Sequence, residues 1–327
     1  MVEAWRARAP GLTIAALVAL SAQFLSDHYG APTMLMAILI GLALNFLSEE
    51  PRTAPGIAWA GRGLLRIGVA LLGLRISTDL VLALGLPAVG MVVLGVAATI
   101  GLGIVLAPLF GRGRGFGFLT GGAVAICGAS AALALGALLP RGEKSDRDIA
   151  FTVVGVTLLS TLAMILYPIL AARLGFDDRL AGIFFGATIH DVAQVVGAGF
   201  SVSDPAGEVS TLVKLLRVTL LAPVVLIAAL VLRRQSGTAG TRPPLMPAFV
   251  AAFLVLAVLN SAGMVPTAIT DTAAAASRWF LVAAVAAVGM KTSIPKLLEV
   301  GRAAIALLVA ETVFLAALVL ALLTWPG

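Results

Sequence analysis

The sequence predicts an all-α, polytopic membrane protein with about 11 transmembrane segments, and two observations point to this class. Of its 327 residues, 60% are hydrophobic, 12% are charged, and the mean hydropathy is +1.08. Soluble domains carry about 25% charged residues, so the composition excludes an ordinary soluble protein. Apolar runs also fill nearly the whole length, so we expect residues 1–327 to form a single membrane domain.

The apolar runs are separated by short connections that hold most of the glycine, proline and charged residues. The candidate spans lie at residues 11–26, 31–48, 60–73, 82–108, 116–139, 149–172, 180–201, 212–232, 247–263, 272–290 and 303–325.

Basic residues in the connections predict the orientation. An N-terminus in the cytoplasm places most of the 22 Lys and Arg residues on that side, as the positive-inside rule requires. A cluster of Arg141, Lys144 and Arg147 violates the rule, because it would lie outside. If 116–139 and 180–201 are both re-entrant or broken, the cluster moves inside. The charge rule does not distinguish these arrangements.

A short internal repeat indicates the architecture. The residues Gly73–Ser77 are echoed by Gly289–Ser293, each after an apolar segment. Seven spans separate the copies, so they would run in opposite directions, as in secondary transporters with inverted repeats. We expect repeats of about 31–172 and 180–325, although short Gly- and Ala-rich strings also match by chance.

The most unusual apolar run, Gly186–Phe200, contains His190, Asp191 and Gln194. Ionisable groups at membrane depth are costly unless they face a wet cavity or a partner, so they indicate a transport site. We predict that these three side chains bind a coupling ion, H⁺ or Na⁺. The alternative is a hydrogen-bonded clamp between helices.

A second motif, Gly121–Ala131, is rich in small residues and predicts a broken helix. A half-helix that begins near Gly128 would direct its N–H groups and positive dipole end at an anion. The predicted substrate-binding residues here are Ile126, Cys127, Gly128 and Ser130. Close helix packing through small residues is the alternative.

Lys214 and Arg217 form a third motif, because residues three apart share one face of a helix. We predict that they bind the anion or pair with Asp191, and interfacial snorkelling is the alternative. Glu311 stands alone in the last span. It is either a proton-coupling carboxylate or a residue of helix packing or a dimer contact.

Enzymatic chemistry is not indicated. The sequence lacks the HExxH, GxSxG and P-loop patterns, and its only histidines are His28 and His190. A nucleophilic pair of Cys127 and His190 is conceivable, but apolar surroundings disfavour a thiolate. We therefore expect no enzyme activity, no cofactor, no metal site and no nucleic-acid partner.

Four motifs in order resemble the YeiH family of bacterial inner-membrane proteins, often labelled sulfate exporters. They are the run Leu64–Arg75, Ile126–Ala131, Ile189–Val196 and Lys214–Val218. The resemblance extends from about Met34 to the C-terminus. It departs from the family at Asp191, where the family commonly has Glu.

The resemblance implies a fold and a function. The family is similar to cation/proton antiporters and bile-acid-type carriers, which implies an inverted-repeat transporter fold with broken, crossing helices. It also implies a core that moves against a scaffold, and a homodimer in the lipid bilayer. The expected function is secondary transport of a small anion such as sulfate or a sulfonate, for example taurine, coupled to H⁺ or Na⁺. A passive anion channel and a non-transporting scaffold subunit are the alternatives.

Overall fold

The computed structural model describes residues 2–29, 31–75, 78–136, 138–139, 143–236, 248–292 and 302–324. In these ranges all regular structure is helical, so the all-α prediction is confirmed. Seven of the described helices are long and apolar enough to cross a membrane, which makes this a multi-pass membrane protein. They are Trp5–Tyr29, Ala54–Arg75, Leu84–Phe110, Arg147–Arg173, Asp204–Ala228, Thr267–Lys291 and Arg302–Thr324.

The helices are numbered in chain order. They are α1 Val2–Tyr29, α2 Thr33–Ala43, α3 Ala54–Trp59, α4 Leu65–Leu72, α5 Thr78–Leu106, α6 Arg114–Ala125, α7 Ala129–Gly136, α8 Glu143–Arg173, α9 Asp178–Thr188, α10 Val192–Val202, α11 Asp204–Thr219, α12 Leu221–Ser236, α13 Ala248–Ser261, α14 Thr267–Lys291 and α15 Arg302–Thr324. A turn of π-helix joins α3 to α4, and α5 is kinked at Gly85.

The candidate span 116–139 forms a re-entrant hairpin, which we call hairpin A (α6 and α7). At 1.5 Å per residue, helices of 12 and 8 residues reach about 18 and 12 Å, too short to cross. A Cβ on Gly122 of α6 would overlap the side chain of Leu135 of α7. These residues would lie about 20 Å apart in a continuous helix, so the chain turns back.

The candidate span 180–201 forms a second hairpin, hairpin B (α9 and α10). A Cβ on Gly182 of α9 would lie 2.7 Å from the side chain of Val209 of α11. A Cβ on Gly199, near the end of α10, would also lie 2.7 Å from Gly207 of α11. The start of α9 and the end of α10 therefore flank the same turns of α11, so hairpin B leaves the membrane where it entered.

The two hairpins enter from opposite faces of the membrane, because α8 crosses between them. Its 31 residues extend about 46 Å. Arg112, just before hairpin A, forms a salt bridge of 3.4 Å with Asp148 in α8, so the start of α8 lies at the face where hairpin A enters. The re-entrant arrangement thus places Lys144 and Arg147 at the same face as Arg112, so these two residues no longer violate the charge rule, while Arg141 lies outside the described residues. The predicted count of about 11 transmembrane segments stays a prediction, and the candidate spans 116–139 and 180–201 take the re-entrant form.

The helices pack into two groups. Helices α1–α4, α13 and α14 contact one another, and α5–α11 with α15 form a second group that contains both hairpins. Helix α10 contacts α2 and α14 of the first group. A cavity of about 800 Å³ lies mainly against the first group, lined by residues that include Arg75, Asp271 and Arg278, and it reaches Asp204 at the start of α11. The larger inverted repeat stays a prediction, and residues 76–77 and 293 of its echo lie outside the described residues.

Candidate functional site

The tips of the two hairpins meet inside the second helix group. Hairpin A turns at Ile126–Gly128 and hairpin B at Ile189–Asp191, where each helix is interrupted. Gly128 has a φ of 61°, in the left-handed region that glycine adopts readily. A Cβ on Gly128 would overlap the carboxylate of Asp191, so the close approach of the two tips requires glycine at this position. Broken helices are thereby confirmed at both motifs.

Arg217 of α11 joins the two tips. Its side chain is 1% exposed, and its five N–H groups donate five hydrogen bonds to backbone carbonyls. In hairpin A, Nη2 bonds Val124 at 2.9 Å, and Nε and Nη2 bond Ala125 at 2.9 and 2.6 Å. In hairpin B, Nη1 bonds Gly186 and Ile189, each at 3.0 Å. The guanidinium thus satisfies the last carbonyls of α6 and α9, which lack partners within their helices.

Lys214 supports the same two tips one turn earlier on α11. Its buried Nζ donates to Ile126 O at 2.7 Å and to Ile189 O at 2.9 Å. An ammonium has three donors, so these bonds leave one N–H of Lys214 for another partner. Arg217, by contrast, has no donor left for an anion in this conformation. Both predicted anion-binding cations reach the tips, and their anion contacts stay a prediction.

His190 connects hairpin B to hairpin A and to α15. Its Nδ1 lies 3.1 Å from Val124 O and its Nε2 lies 3.0 Å from Thr312 Oγ1. A carbonyl only accepts, so Nδ1 carries a proton. The Thr312 hydroxyl can donate to Nε2 of a neutral ring, or accept from a charged ring while donating to Leu308 O at 2.8 Å. The imidazole is 0% exposed.

Asp191 caps the start of α7 across the tip contact. Its Oδ1 accepts from Ala129 N at 3.2 Å, and its Oδ2 accepts from Thr157 Oγ1 at 3.3 Å. Its own backbone N–H donates to Ser160 Oγ at 3.0 Å. Asp191 is only partly buried, as are Ala129 and Thr157, so the carboxylate reaches an accessible part of the tips. A negative group at a helix N-terminus is stabilised by the helix dipole.

Gln194 is buried one turn further along α10. Its Nε2 donates to Thr161 Oγ1 at 3.2 Å, and its Oε1 has no hydrogen-bond partner among the described residues. Our sequence reasoning missed the polar face of α8 formed by Thr157, Ser160 and Thr161. Their spacing of three and four residues within an apolar helix was the available signal.

The other predicted substrate-binding residues form the turn of hairpin A. Ile126 and Cys127 are buried, and Ser130 is exposed in the first turn of α7. The N–H groups at the starts of α7 and α10 lie beside this turn, and first-turn N–H groups lack partners within a helix. All nine predicted site residues therefore belong to one region that is built from the two tips and α11.

A comparison with known families identifies the chain. A family model described as conserved hypothetical protein 698 matches residues 10–308. The chain belongs to this family. Its members among the relatives are called UPF0324 membrane proteins, and the membership is consistent with the resemblance to the YeiH family. The wider likeness to antiporters and bile-acid-type carriers stays a prediction.

Several UPF0324 relatives match over nearly their full length. The protein TauZ of Paracoccus denitrificans is 59% identical over 314 residues, which cover 95% of this chain and 93% of the relative. A membrane protein of Rhizobium meliloti is 59% identical over 321 residues, covering 97% and 93%. One from Chlorobaculum tepidum is 52% identical over 319 residues, covering 97% and 89%.

Proposed function

We propose that this UPF0324 protein is a secondary active transporter of a small anion, such as sulfate or a sulfonate, coupled to H⁺ or Na⁺. The observation that carries the proposal is the meeting of two re-entrant hairpin tips at two buried cations. Non-helical backbone at membrane depth is tolerated where it lines a cavity or is buried in protein, and broken helices form the binding sites of secondary transporters.

The charges at the tips favour an anion. Lys214 and Arg217 bring two positive charges, against one carboxylate on Asp191. The positive ends of α7 and α10 point at the same region and add N–H donors. In this proposal the anion contacts the backbone N–H of Cys127, the Ser130 hydroxyl and the remaining N–H of Lys214, while the Gly128 N–H donates to Ala123 O at 2.8 Å and shapes the turn. Arg217 positions the tips.

The proposed coupling ion binds beside the anion. Asp191 contacts α7 and α8 at once, so neutralising its charge by H⁺ or Na⁺ alters the contact between the hairpins. Gln194 presents a buried carbonyl oxygen that no described residue bonds, and His190 connects the tips to α15. These three side chains are the proposed coupling group.

In the proposed alternating-access mechanism, the two helix groups move relative to each other. The hairpin-containing group is the proposed moving core, and α1–α4 with α13 and α14 form the proposed scaffold. The cavity beside Arg75, Asp271 and Arg278 contains charged side chains and reaches Asp204, two residues after the end of hairpin B. A homodimer in the bacterial plasma membrane, with a cytoplasmic N-terminus, completes the proposal.

Uptake into proteoliposomes tests this function. Radiolabelled sulfate and taurine would be offered to the wild-type protein and to Asp191→Asn under imposed pH and sodium gradients. We expect gradient-driven accumulation of one of these anions in the wild type and its loss in the variant. Single-channel currents would instead indicate a channel. No flux of either anion, with no anion-dependent thermal stabilisation, would support a scaffold subunit.

A further inference from the structure

Glu311 on α15 is a buried carboxylate that the hairpin tips do not use. Its side chain is 0% exposed, and its Oε1 lies 2.8 Å from Thr120 Oγ1 of α6. Among the residues that the structure describes, its Oε2 has no hydrogen-bond partner and no salt bridge includes it. An ionised carboxylate with one unpaired oxygen is costly in an apolar interior, so this environment favours a bound proton.

The Thr120 hydroxyl can serve both protonation states of Glu311. It also lies 3.1 Å from Phe116 O. When Glu311 is protonated, its O–H donates to Thr120 Oγ1, and Thr120 donates to Phe116 O. When Glu311 is ionised, the hydroxyl turns to donate to Oε1. This exchange needs only the rotation of a hydroxyl hydrogen, so the proton can leave and return without unfolding a helix.

The surroundings favour a proton over a sodium ion. Helices α5, α6 and α15 are regular around Glu311, so their carbonyls accept bonds within their own helices. Sodium sites in transporters use carbonyls that are freed by helix unwinding. Such freed carbonyls occur here at the hairpin tips, where Lys214 and Arg217 already bind them.

Glu311 and its neighbour Thr312 contact both hairpins. Glu311 bonds Thr120 in hairpin A, and Thr312 bonds His190 at the tip of hairpin B. Helix α5 packs closely on the same point, since a Cβ on Gly103 would lie 2.6 Å from Glu311 Oε1. A change in the charge of Glu311 therefore acts on the packing of α5, α15 and both hairpins together.

Few titratable groups bear on Glu311. Helix α15 packs against α5, α6, α8 and α9. His190, just after α9, is hydrogen-bonded to Thr312, the residue next to Glu311, and Asp191, Lys214 and Arg217 lie with His190 at the tips. By sequence position, the other charged residues of these four helices all fall within the first or last two turns. They are Asp79, Arg114, Glu143, Lys144, Asp146, Arg147, Asp148, Arg173, Asp178 and Arg179.

We propose that Glu311 is a proton-binding site of this protein, separate from the hairpin tips, whose protonation controls the movement of the hairpins. The proposal deepens the proposed function and rests on it, because it assigns the coupled ion as H⁺. The neutral acid is compatible with the close packing seen here. The ionised form requires a hydrogen-bond donor for Oε2. Water can supply it if α5 and hairpin A loosen their packing against α15.

The variant Glu311→Gln tests the proposal, with Glu50→Gln as a matched control at an exposed position. Proteoliposomes would be assayed for exchange of internal and external sulfate or taurine without a gradient, and for accumulation driven by a pH gradient. We expect the exchange of Glu311→Gln to stay within about twofold of the wild type while pH-driven accumulation is lost. Accumulation equal to that of Glu50→Gln would overturn the proposal.

An infrared titration separates this proposal from the transport function. We expect a carbonyl band of a protonated carboxylic acid in the wild type that disappears at high pH and is absent from Glu311→Gln. If the wild type and Glu311→Gln show the same bands, the proton site is refuted, whether or not an anion is transported. A wild type that shows the band but transports no anion would refute the proposed function alone.

The variant Thr120→Val keeps the carboxyl group of Glu311 and provides a second test of the proposal if Glu311→Gln does not fold. A hydrogen bond to the ionised form is stronger than one to the neutral form, so its loss moves the infrared titration upwards by about one pH unit. Thr120→Ser should restore the wild-type titration. An unchanged titration in Thr120→Val would contradict the proposed exchange of hydrogen bonds.

Discussion

The variant Arg217→Lys tests whether one side chain holds the two hairpin tips together. Arg217 donates five hydrogen bonds of 2.6–3.0 Å to backbone carbonyls of both tips. Lysine keeps the charge but has three donors on a single nitrogen, so at least two bonds are lost. Hydrogen bonds to charged groups contribute about 1.5–3 kcal/mol each, which predicts a loss of at least about 3–6 kcal/mol.

Unfolding in mixed detergent and SDS micelles, followed by helical circular dichroism, would measure this loss. Arg173→Lys makes the same chemical change at the exposed end of α8 and serves as the control. Surface substitutions of this kind usually change stability by less than about 0.5 kcal/mol. If the free energies of unfolding of the two variants agree within about 1 kcal/mol, the tip carbonyls do not depend on Arg217 and the reasoning is wrong.

Two further predictions concern the hairpin tips. Gly128→Ala should destabilise the protein and abolish transport, because a Cβ there overlaps the Asp191 carboxylate. Gly111→Ala is the control, since Gly111 has a similar φ of 68° and a Cβ there would meet nothing within 4 Å. Equal effects of the two variants on stability and uptake would contradict the overlap. Lys214→Met should weaken sulfate binding at least tenfold, measured by anion-dependent thermal stabilisation, because it removes one tip cation and the hydrogen bond to Ile126 O, while Ile189 O keeps its bond to Arg217. Unchanged stabilisation by sulfate in Lys214→Met would argue against an anion at the tips.

The positions of the helix breaks were predictable from sequence. The glycines around Gly128 weaken a helix, the ionisable residues His190 and Asp191 are costly in an apolar one, and both breaks lie at these motifs. The charged cluster that includes Lys144 and Arg147 also indicated a re-entrant arrangement as one of two possibilities. The sequence left it open because the local residues of a broken span and of a hairpin are the same. The direction after the break depends on distant contacts, such as that between Arg112 and Asp148.

The partners of the cations were not predictable in the same way. Lys214 and Arg217 were expected to bind an anion or Asp191, whereas the structure surrounds them with backbone carbonyls. Backbone carbonyls are present at every residue, so a sequence pattern does not show which of them a helix break will free. The polar face of α8 at Thr157 and Ser160 had a readable spacing, but each residue alone is common in membrane helices.

The reactivity of Cys127 tests the central claim, an anion site between the hairpin tips, most directly. Cys127 is the only cysteine of the chain and lies in the turn of hairpin A. The protein in proteoliposomes would be treated with a small methanethiosulfonate reagent in the presence of sulfate, taurine or chloride at equal ionic strength, with Cys127→Ser as the blank. We predict that the transported anion slows modification at least several-fold and that chloride does not. Equal rates in all three anions, in a preparation that transports one of them, would show that the anion does not bind between the tips.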